Sequence, residues 1–482
     1  MKLLAIDIGT SRVKCAAFDE SGNMSALKSQ RLDRAASPNT QDAEQWYSIT
    51  ASLLRQMTMR SDGVIDGIVL TGNMHALLGI NRSGIPVAPA VLWSDNSAMA
   101  ESAELNRRYK PYLLEHFGNS SIPVFTLPKI LQMKRRNEGL YHATVAFLQS
   151  KDYIAYRLTG QICTDYSDAS GVLAMELETR QWAGGWLTEL KVDPRKFPQL
   201  YPSDAICGQV TFQAAQETGL PQGTPVIIGS GDLASAALGS GVSDDSFSLT
   251  LGTAGQLLAT GQPGMGKNIA GKLFVFAHAD PSRELYLGSV PAGGFSFEWF
   301  AKLHNITMPQ FFQEASQCEL SMALPSYIPY ILGKGAPYMD YQPDGAFLGI
   351  SANHTLGQLC LATVFGTLCP LRQCADLLES LSAPRKNIIL QALACRETCV
   401  RDAAGALFPQ HKLLPCNSEA SLLGAAVIGA KALGAYPTMT SAAESMVKNI
   451  PFELPQSTLA ENMFLRFLKQ VGAEEYMAKT RA

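Results

Sequence analysis

The chain has 482 residues, of which 46% are hydrophobic and 17% charged, and its formal net charge is -3. That length is too great for one compact core and points to two large domains. The near-neutral charge lacks the basic excess that a nucleic-acid-binding protein needs.

The opening "MKLLAIDIGT" carries an apolar stretch that Asp7 interrupts before a secretion signal could form. It is followed by "VKCAAFD" and "MSALKSQRL", with tight turns between, which reads as a β-meander. A helix is expected over residues 42–59, where Trp46, Ile49, Leu53 and Met57 recur at helical spacing and Asp42 can cap the start. "IDGIVLTG" then reads as a strand buried on both faces, so the first part of the chain is α/β. After "LLGIN", "VAPAVLW" and a helix rich in Glu and Arg, residues 127–158 read as mainly helical. "GTPVIIGSGDLASAALGSG" is a strand, a glycine-bearing turn and a helix of small residues, and "SFSLTLGTAGQLLAT" then begins the meander again. Gly9 and Gly252 are matching positions of what looks like a diverged duplication, dividing the chain into residues 1–241 and 242–482. The last quarter should hold a helix over 356–381, the strand "NIILQAL" and a small-residue helix over 419–433, which Lys431 marks as packed helix and not a bilayer span. No long linker separates the halves, so they should close around a shared cleft.

Ten cysteines sit singly in apolar surroundings, as reduced thiols of a cytoplasmic enzyme do. Cys395, Cys399, His411 and Cys416 have a spacing that zinc could use, but buried thiols on a helix face are the ordinary explanation. "GQPGMGKN" nearly matches a phosphate loop yet ends in Asn268 with no helix after it, and "VIIGSGDLA" resembles a dinucleotide turn without the acidic ribose partner. The two Gly-Thr turns lie inside hairpins instead. Glycine permits successive amides to point into one concavity, and Thr adds a hydroxyl donor. One such turn usually only reverses the chain, but two in equivalent places could grip a polyphosphate from both sides. Asp7 is either a strand-end carboxylate capping its own turn or an anchor for Mg²⁺ on those phosphates. Lys14 is either a solvated hairpin residue or a charge partner for the terminal phosphate. Asp232 is either a plain helix cap or a carboxylate aimed at a substrate hydroxyl.

In their order, "DIGTSRVKCAAFD", "TGNMHALLGINRSGIPVAPAVLWSD", "KDYIAYRLTGQICTDYSDASGVL", "IIGSGDLASAALGSG", "LTLGTAGQLLAT", "AGGFSFEWF", "YILGKGAP" and "EASLLGAAVIGA" resemble the FGGY carbohydrate kinases through nearly the whole chain. The resemblance implies two ribonuclease-H-like domains of the actin-like ATPase fold around a central cleft, with ATP and Mg²⁺ as cofactors and a small-molecule sugar as partner; the sequence itself points to no membrane and leaves the oligomeric state open, a homodimer being one alternative. It implies that Asp232 is the general base and Asp7 the metal-linked carboxylate. Thr10, Ser11 and Lys14, with Gly252, Thr253 and Gly293, match positions that contact the nucleotide. Met74 and His75 match the pair by which xylulokinase-like members hold the sugar, and Trp93 and Asp95 would line the same pocket, although a lone His or Trp in such surroundings is often core. The chain departs from the family at Asn73, Ala76 and Ser97, where Gln, Gly and Arg are usual, and at Gln391 and Ala392, where adjacent glycines line the adenine region. A ketose or polyol kinase is therefore weighed against a silent sugar or nucleotide binder.

Overall fold

The computed structural model describes residues 1–33, 37–59, 65–416, 419–448 and 458–473. Each half is built on a six-stranded sheet. The first runs Ile206–Gln209, Pro225–Gly231, Gly67–Gly72, Lys2–Ile8, Arg12–Asp19 and Met24–Arg31; the second runs Phe274–Ala277, Glu284–Val290, Gly255–Gly261, Ser246–Leu251, Asn387–Ala392 and Lys412–Pro415. In both, an antiparallel meander of three strands continues into strands parallel to the first of them. The repeat read from the two Gly-Thr hairpins is thus a repeat of sheet topology. Asp7 stands opposite Lys14 across its hairpin as Thr250 stands opposite Gln256, and the parallel neighbours of the two positions are Thr71 and Gln391.

The central strand Gly67–Gly72 is buried throughout, because helices cover both faces of its sheet. Helix Ala43–Thr58, capped by the Asp42 side chain on the Glu44 amide, covers one face together with Ser150–Thr159. The other face receives Ala420–Ala432, a helix from the far end of the chain that packs on Lys2–Ile8, on Gly67–Gly72 and most closely on Asp232–Ser240. Its sequence is apolar on every side, which suits an element enclosed between a sheet and another helix. Residues 127–158 are less uniformly helical than their composition suggests: helices Thr126–Arg136, Glu138–Ala143 and Ser150–Thr159 are interrupted by the short strand Ala146–Leu148, which pairs with Leu78–Ile80. The lobes also meet at the edge of the second sheet, where the Asn119 carboxamide takes the place of a neighbouring strand. Its Nδ2 donates to Val275 O at 2.6 Å, and its Oδ1 accepts from Val275 N at 3.0 Å.

Candidate active site

The strand that leads to Asp232 ends in a bulge. Pairing of Pro225–Gly231 with Gly67–Gly72 shifts register between Ile227 and Ser230, and Gly229 there has φ 67° with its Cα facing the Leu70 carbonyl so closely that a Cβ would sit 1.6 Å from it. Only glycine fits, and the bulge re-aims the next residues. Gly231 N donates to Ser167 Oγ at 2.9 Å, and Asp232 opens helix Asp232–Ser240. Its carboxylate lines a cleft of about 390 Å³ that both halves build: Thr10, Met74, His75 and Trp93 come from the first, and Thr250, Gln256, Phe276 and Gln391 from the second. Burial pushes the Asp232 carboxyl up to about 6, while the backbone amides of Leu233 and Met74 hold it from going higher. Asp7 lies close enough to feel that charge. Burial first, then Asp232, pushes it up to about 7, against the opposing pull of Lys14.

Behind Asp232 lies a buried charge cluster that the sequence reading passed over. Lys151 Nζ stands 2.8 Å from Asp152 Oδ1, 3.0 Å from Asp165 Oδ1 and 3.2 Å from Asp168 Oδ2, all four side chains being out of solvent. One cation cannot neutralise three buried carboxylates, so the cluster keeps a proton. Asp165 accepts from Ser167 N, Ser167 Oγ and Ser203 Oγ, and Asp152 from Gln149 N, whereas the Asp168 oxygens have only the lysine. Asp168 therefore holds the proton, and burial raises it well above the usual carboxylate range. A carboxyl raised in the folded state contributes stability that is complete below its unfolded value and is lost as pH rises. Asp168→Asn is accordingly expected to raise Tm, with a gap over wild type that widens from pH 5 to pH 9. Thermal denaturation across that range checks it, and a variant less stable at pH 9 would contradict it.

His75 occupies a left-handed backbone position, φ 63°, and its Nδ1-H donates to Gly171 O at 3.0 Å. A carbonyl can only accept, so Nδ1 carries the proton and Nε2 is left as a lone-pair acceptor. Burial, then the nearby Lys129 charge, pushes the imidazole down to about 4, which keeps it neutral. The ring sits 5.2 Å from Phe125 and 5.8 Å from Phe276, centroid to centroid, so the second lobe closes directly on it. Lys129 is another residue the sequence reading missed: it is 2% exposed, and burial pushes its ammonium down to about 7.

The other expected site residues fall into distinct places. Trp93 is 46% exposed on the cleft, and its Nε1 donates to Thr10 Oγ1 at 3.0 Å, which joins the first Gly-Thr turn to this wall. Asp95 is not among the cleft-lining residues; its Oδ1 accepts from Ser97 N at 2.9 Å and from Ser97 Oγ. Ser11, beside Thr10 in the turn, is exposed. Lys14 stands outside the cleft, its Nζ 2.7 Å from Glu419 Oε2 at the start of Ala420–Ala432. The second turn is anchored from behind: Gly252 O and Thr253 O accept from Gly294 N at 2.7 Å and Phe295 N at 3.1 Å, the first amides of helix Gly294–Leu303. Gly293 makes that approach possible, since a Cβ on it would lie 2.1 Å from Gly255 N. Gln391 lines the cleft with its Nε2 donating to Ser248 Oγ at 2.6 Å, and Ala392 is held at φ 54°, ψ -128°, a conformation suited to glycine.

The near-match to a phosphate loop is already filled by the chain itself. Gly264 N and Gly266 N donate to the two Glu284 carboxylate oxygens, both at 2.9 Å, so the amide nest holds an internal anion. Among the described residues no group of three or more His, Cys, Asp or Glu side chains is arranged to hold a metal ion. Cys399 is buried in a helix, His411 Nε2 lies 3.0 Å from Glu379 Oε1, and the Cys395 side chain lies outside the described residues. No helix among them is long and apolar enough to cross a membrane.

The N-terminal domain of the FGGY family of carbohydrate kinases matches residues 2–239 and its C-terminal domain residues 267–433. A xylulose kinase from Staphylococcus xylosus is 29% identical over 388 residues, covering 78% of this chain and 80% of the relative. Two solved structures from Lactobacillus acidophilus share the fold at 20% identity, each covering 98% of both chains: a ligand-bound xylulose kinase with TM-score 0.89 and a gluconate kinase with TM-score 0.90. Matched along most of its length by both domains of one family, and built as two like-wound lobes around a carboxylate-bearing cleft, the chain belongs to the FGGY family of carbohydrate kinases.

Proposed function

We propose that this kinase transfers the terminal phosphoryl group of ATP to a hydroxyl of an uncharged ketose, a pentulose such as xylulose or a related heptulose, with Asp232 as the general base. The observation that carries the reading is the placement of Asp232 at a helix start in a cleft that offers Met74, the neutral His75 and Trp93 to a sugar, with no Lys or Arg among its described lining residues. A sugar acid would bring a carboxylate needing a cation, and Ser97 stands where the family usually has Arg. The gluconate kinase likeness therefore carries less weight for substrate than the xylulose kinase one.

Phosphoryl transfer asks the protein for positioning and charge stabilisation more than for covalent chemistry. Asp232 accepts the proton of the attacking hydroxyl at the moment of transfer; its value near 6 leaves it ionised at neutral pH yet basic enough to respond. Asp7 fits a divalent cation, because its Oδ1 is buried without a hydrogen-bond partner. Mg²⁺ held there with the nucleotide would neutralise phosphate charge. Thr10, Ser11 and Lys14 would receive the phosphates from one lobe and Gly252, Thr253 and Gly293 from the other, Lys14 exchanging Glu419 for phosphate. In this reading residues 1–241 carry the sugar wall, the first turn and the base, and residues 242–482 the nucleotide side.

A coupled ADP-release assay over xylulose, ribulose, sedoheptulose, glycerol and gluconate tests the proposal. Turnover with a ketose and none with gluconate is expected, whereas preferred turnover of gluconate would overturn it. Calorimetric binding of a sugar with no ADP release for any of them would favour the silent binder, the reading that Gln391 and the strained Ala392 support. His75→Ala is expected to raise the sugar KM about tenfold, the worth of one buried hydrogen bond, with the ATP KM unchanged; equal KM values for the sugar would place His75 in the core only.

A further inference from the structure

The sugar-facing wall of the first lobe is assembled from two separate segments. One carries Met74 and His75 after strand Gly67–Gly72, and the other carries Trp93 after strand Ala90–Val91. They are stitched by the pair of backbone bonds Leu77 N to Val91 O at 2.8 Å and Val91 N to Leu77 O at 3.0 Å, and by Val87 N to Gly79 O at 2.9 Å. Past that pair the segments diverge, and the carbonyls of His75 and Leu92 both turn towards a third element, helix Thr126–Arg136. From its first turn Lys129 Nζ donates to His75 O at 2.8 Å and to Leu92 O at 2.7 Å.

This ammonium is 2% exposed, and among the described residues it forms no ion pair with a carboxylate. Stability does not explain such a group. Burying a charge costs several kcal/mol, and an apolar side chain of similar volume often fills such a site at no loss. What an apolar side chain could not do is hold two carbonyls from different segments at one point. His75 is kept in its left-handed conformation at one of those carbonyls, and Trp93 directly follows the other.

The geometry points to Lys129 as a positioning residue that locks the two sugar-facing segments together, its ammonium joining the His75 and Leu92 carbonyls so that the imidazole and the indole stand at fixed places on one wall. The inference rests on the reading that this wall receives the sugar. Removing the ammonium leaves the His75 carbonyl buried without a donor and the Leu92 carbonyl with only the Asp95 amide, 3.2 Å away, so the two segments lose the group that joins them. The wall also reaches the phosphate side through the Trp93 to Thr10 hydrogen bond and through Asn73, whose N and Nδ2 donate to Ile8 O at 2.9 and 2.8 Å, contacts that Lys129 does not make.

The test uses the full-length protein with Lys129→Met, which keeps the stem and removes the charge and donors, and Lys129→Arg, which keeps both. Lys129→Met is expected to raise the ketose KM about tenfold while the ATP KM and kcat change less than about threefold, and Lys129→Arg to recover part of the sugar affinity. A merely structural role would lower kcat and raise both KM values alike, or would leave Lys129→Arg no better than Lys129→Met; either result overturns the inference. Hydrogen exchange gives a readout independent of substrate identity. Faster exchange is expected over residues 73–78 and 90–95 of Lys129→Met, with the turns at 9–12 and 252–254 unchanged. Unchanged exchange in the two wall segments would overturn the lock even if a ketose is turned over, while faster exchange with no ketose turnover by wild type would uphold the lock and reject the substrate reading. If Lys129→Met does not fold, the same two measurements on Lys129→Arg decide: the longer, planar head is expected to shift the sugar KM and the exchange of the two segments together.

Discussion

Asp232→Asn is expected to lower kcat about a hundred- to ten-thousandfold while leaving sugar binding within a few-fold of wild type. The carboxamide keeps the shape of the side chain and its place at the start of Asp232–Ser240 but has no basic oxygen to take the hydroxyl proton. Isothermal titration separates the two effects, since binding reports the wall formed by Met74 and His75 whereas turnover reports the base. The pH profile carries a second signature. A base works only when deprotonated, so wild-type kcat/KM should be present above, and fall as pH drops through, about 6. Asp7 shares the neighbourhood, so the acid limb belongs to the pair; in Asp232→Asn the remaining activity should lose the Asp232 part of it. Near-normal turnover in this variant would remove Asp232 from the chemistry.

Gly424→Val is expected to be the most destabilising single change at the helix that carries Asp232. Helices Asp232–Ser240 and Ala420–Ala432 meet backbone to backbone: a Cβ on Gly424 would lie 1.8 Å from Ser235 O, and one on Gly239 would lie 1.9 Å from Ala420 O. Neither neighbour is a flexible side-chain tip, so the helices must separate. Overpacking of this kind costs about 3 kcal/mol or more where backbone has to move. The displaced helix carries Asp232 at its first turn, so kcat should fall together with Tm. Gly184→Ala is the control, because a Cβ there meets nothing within 4 Å, and it is expected to leave both unchanged. A Gly424→Val protein with wild-type Tm would show that the two helices do not touch as described.

Much of this architecture was legible in the order of residues. The Gly9 and Gly252 hairpins repeat because the sheets repeat, and the amphipathic spacing of Trp46, Ile49, Leu53 and Met57 gave a helix whose Asp42 cap is present. The alternation of strand and helix, with the ordered motifs, was enough for two ribonuclease-H-like lobes. Other features left no local signal. Ala146–Leu148 is three apolar residues between helices, too short for its period to separate strand from helix. Ala420–Ala432 is apolar all round, which says that it is enclosed but not that it crosses back to the first sheet.

At the site, the residues missed are ones whose partners lie far along the chain. Lys129 looks like a solvated lysine on an amphipathic helix until the carbonyls of His75 and Leu92 are brought to it. Lys151 and Asp168 look like ordinary surface charge until three carboxylates converge. Asp95 has the type to line a sugar pocket, but the nearby Ser97 hydroxyl and amide satisfy its carboxylate at home. The Gly264–Gly266 nest has the composition of an anion site, and nothing local reveals that Glu284 occupies it.

In the proposed function a sugar lies between His75 and Asp232 with the phosphates spanning the two lobes. A crystal structure of the protein with xylulose and a non-hydrolysable ATP analogue tests it most directly. One sugar hydroxyl is expected within hydrogen-bond reach of the Asp232 carboxylate, about 3 Å, and facing the terminal phosphate. A sugar bound outside this cleft, or with its hydroxyls turned away from Asp232, would contradict it.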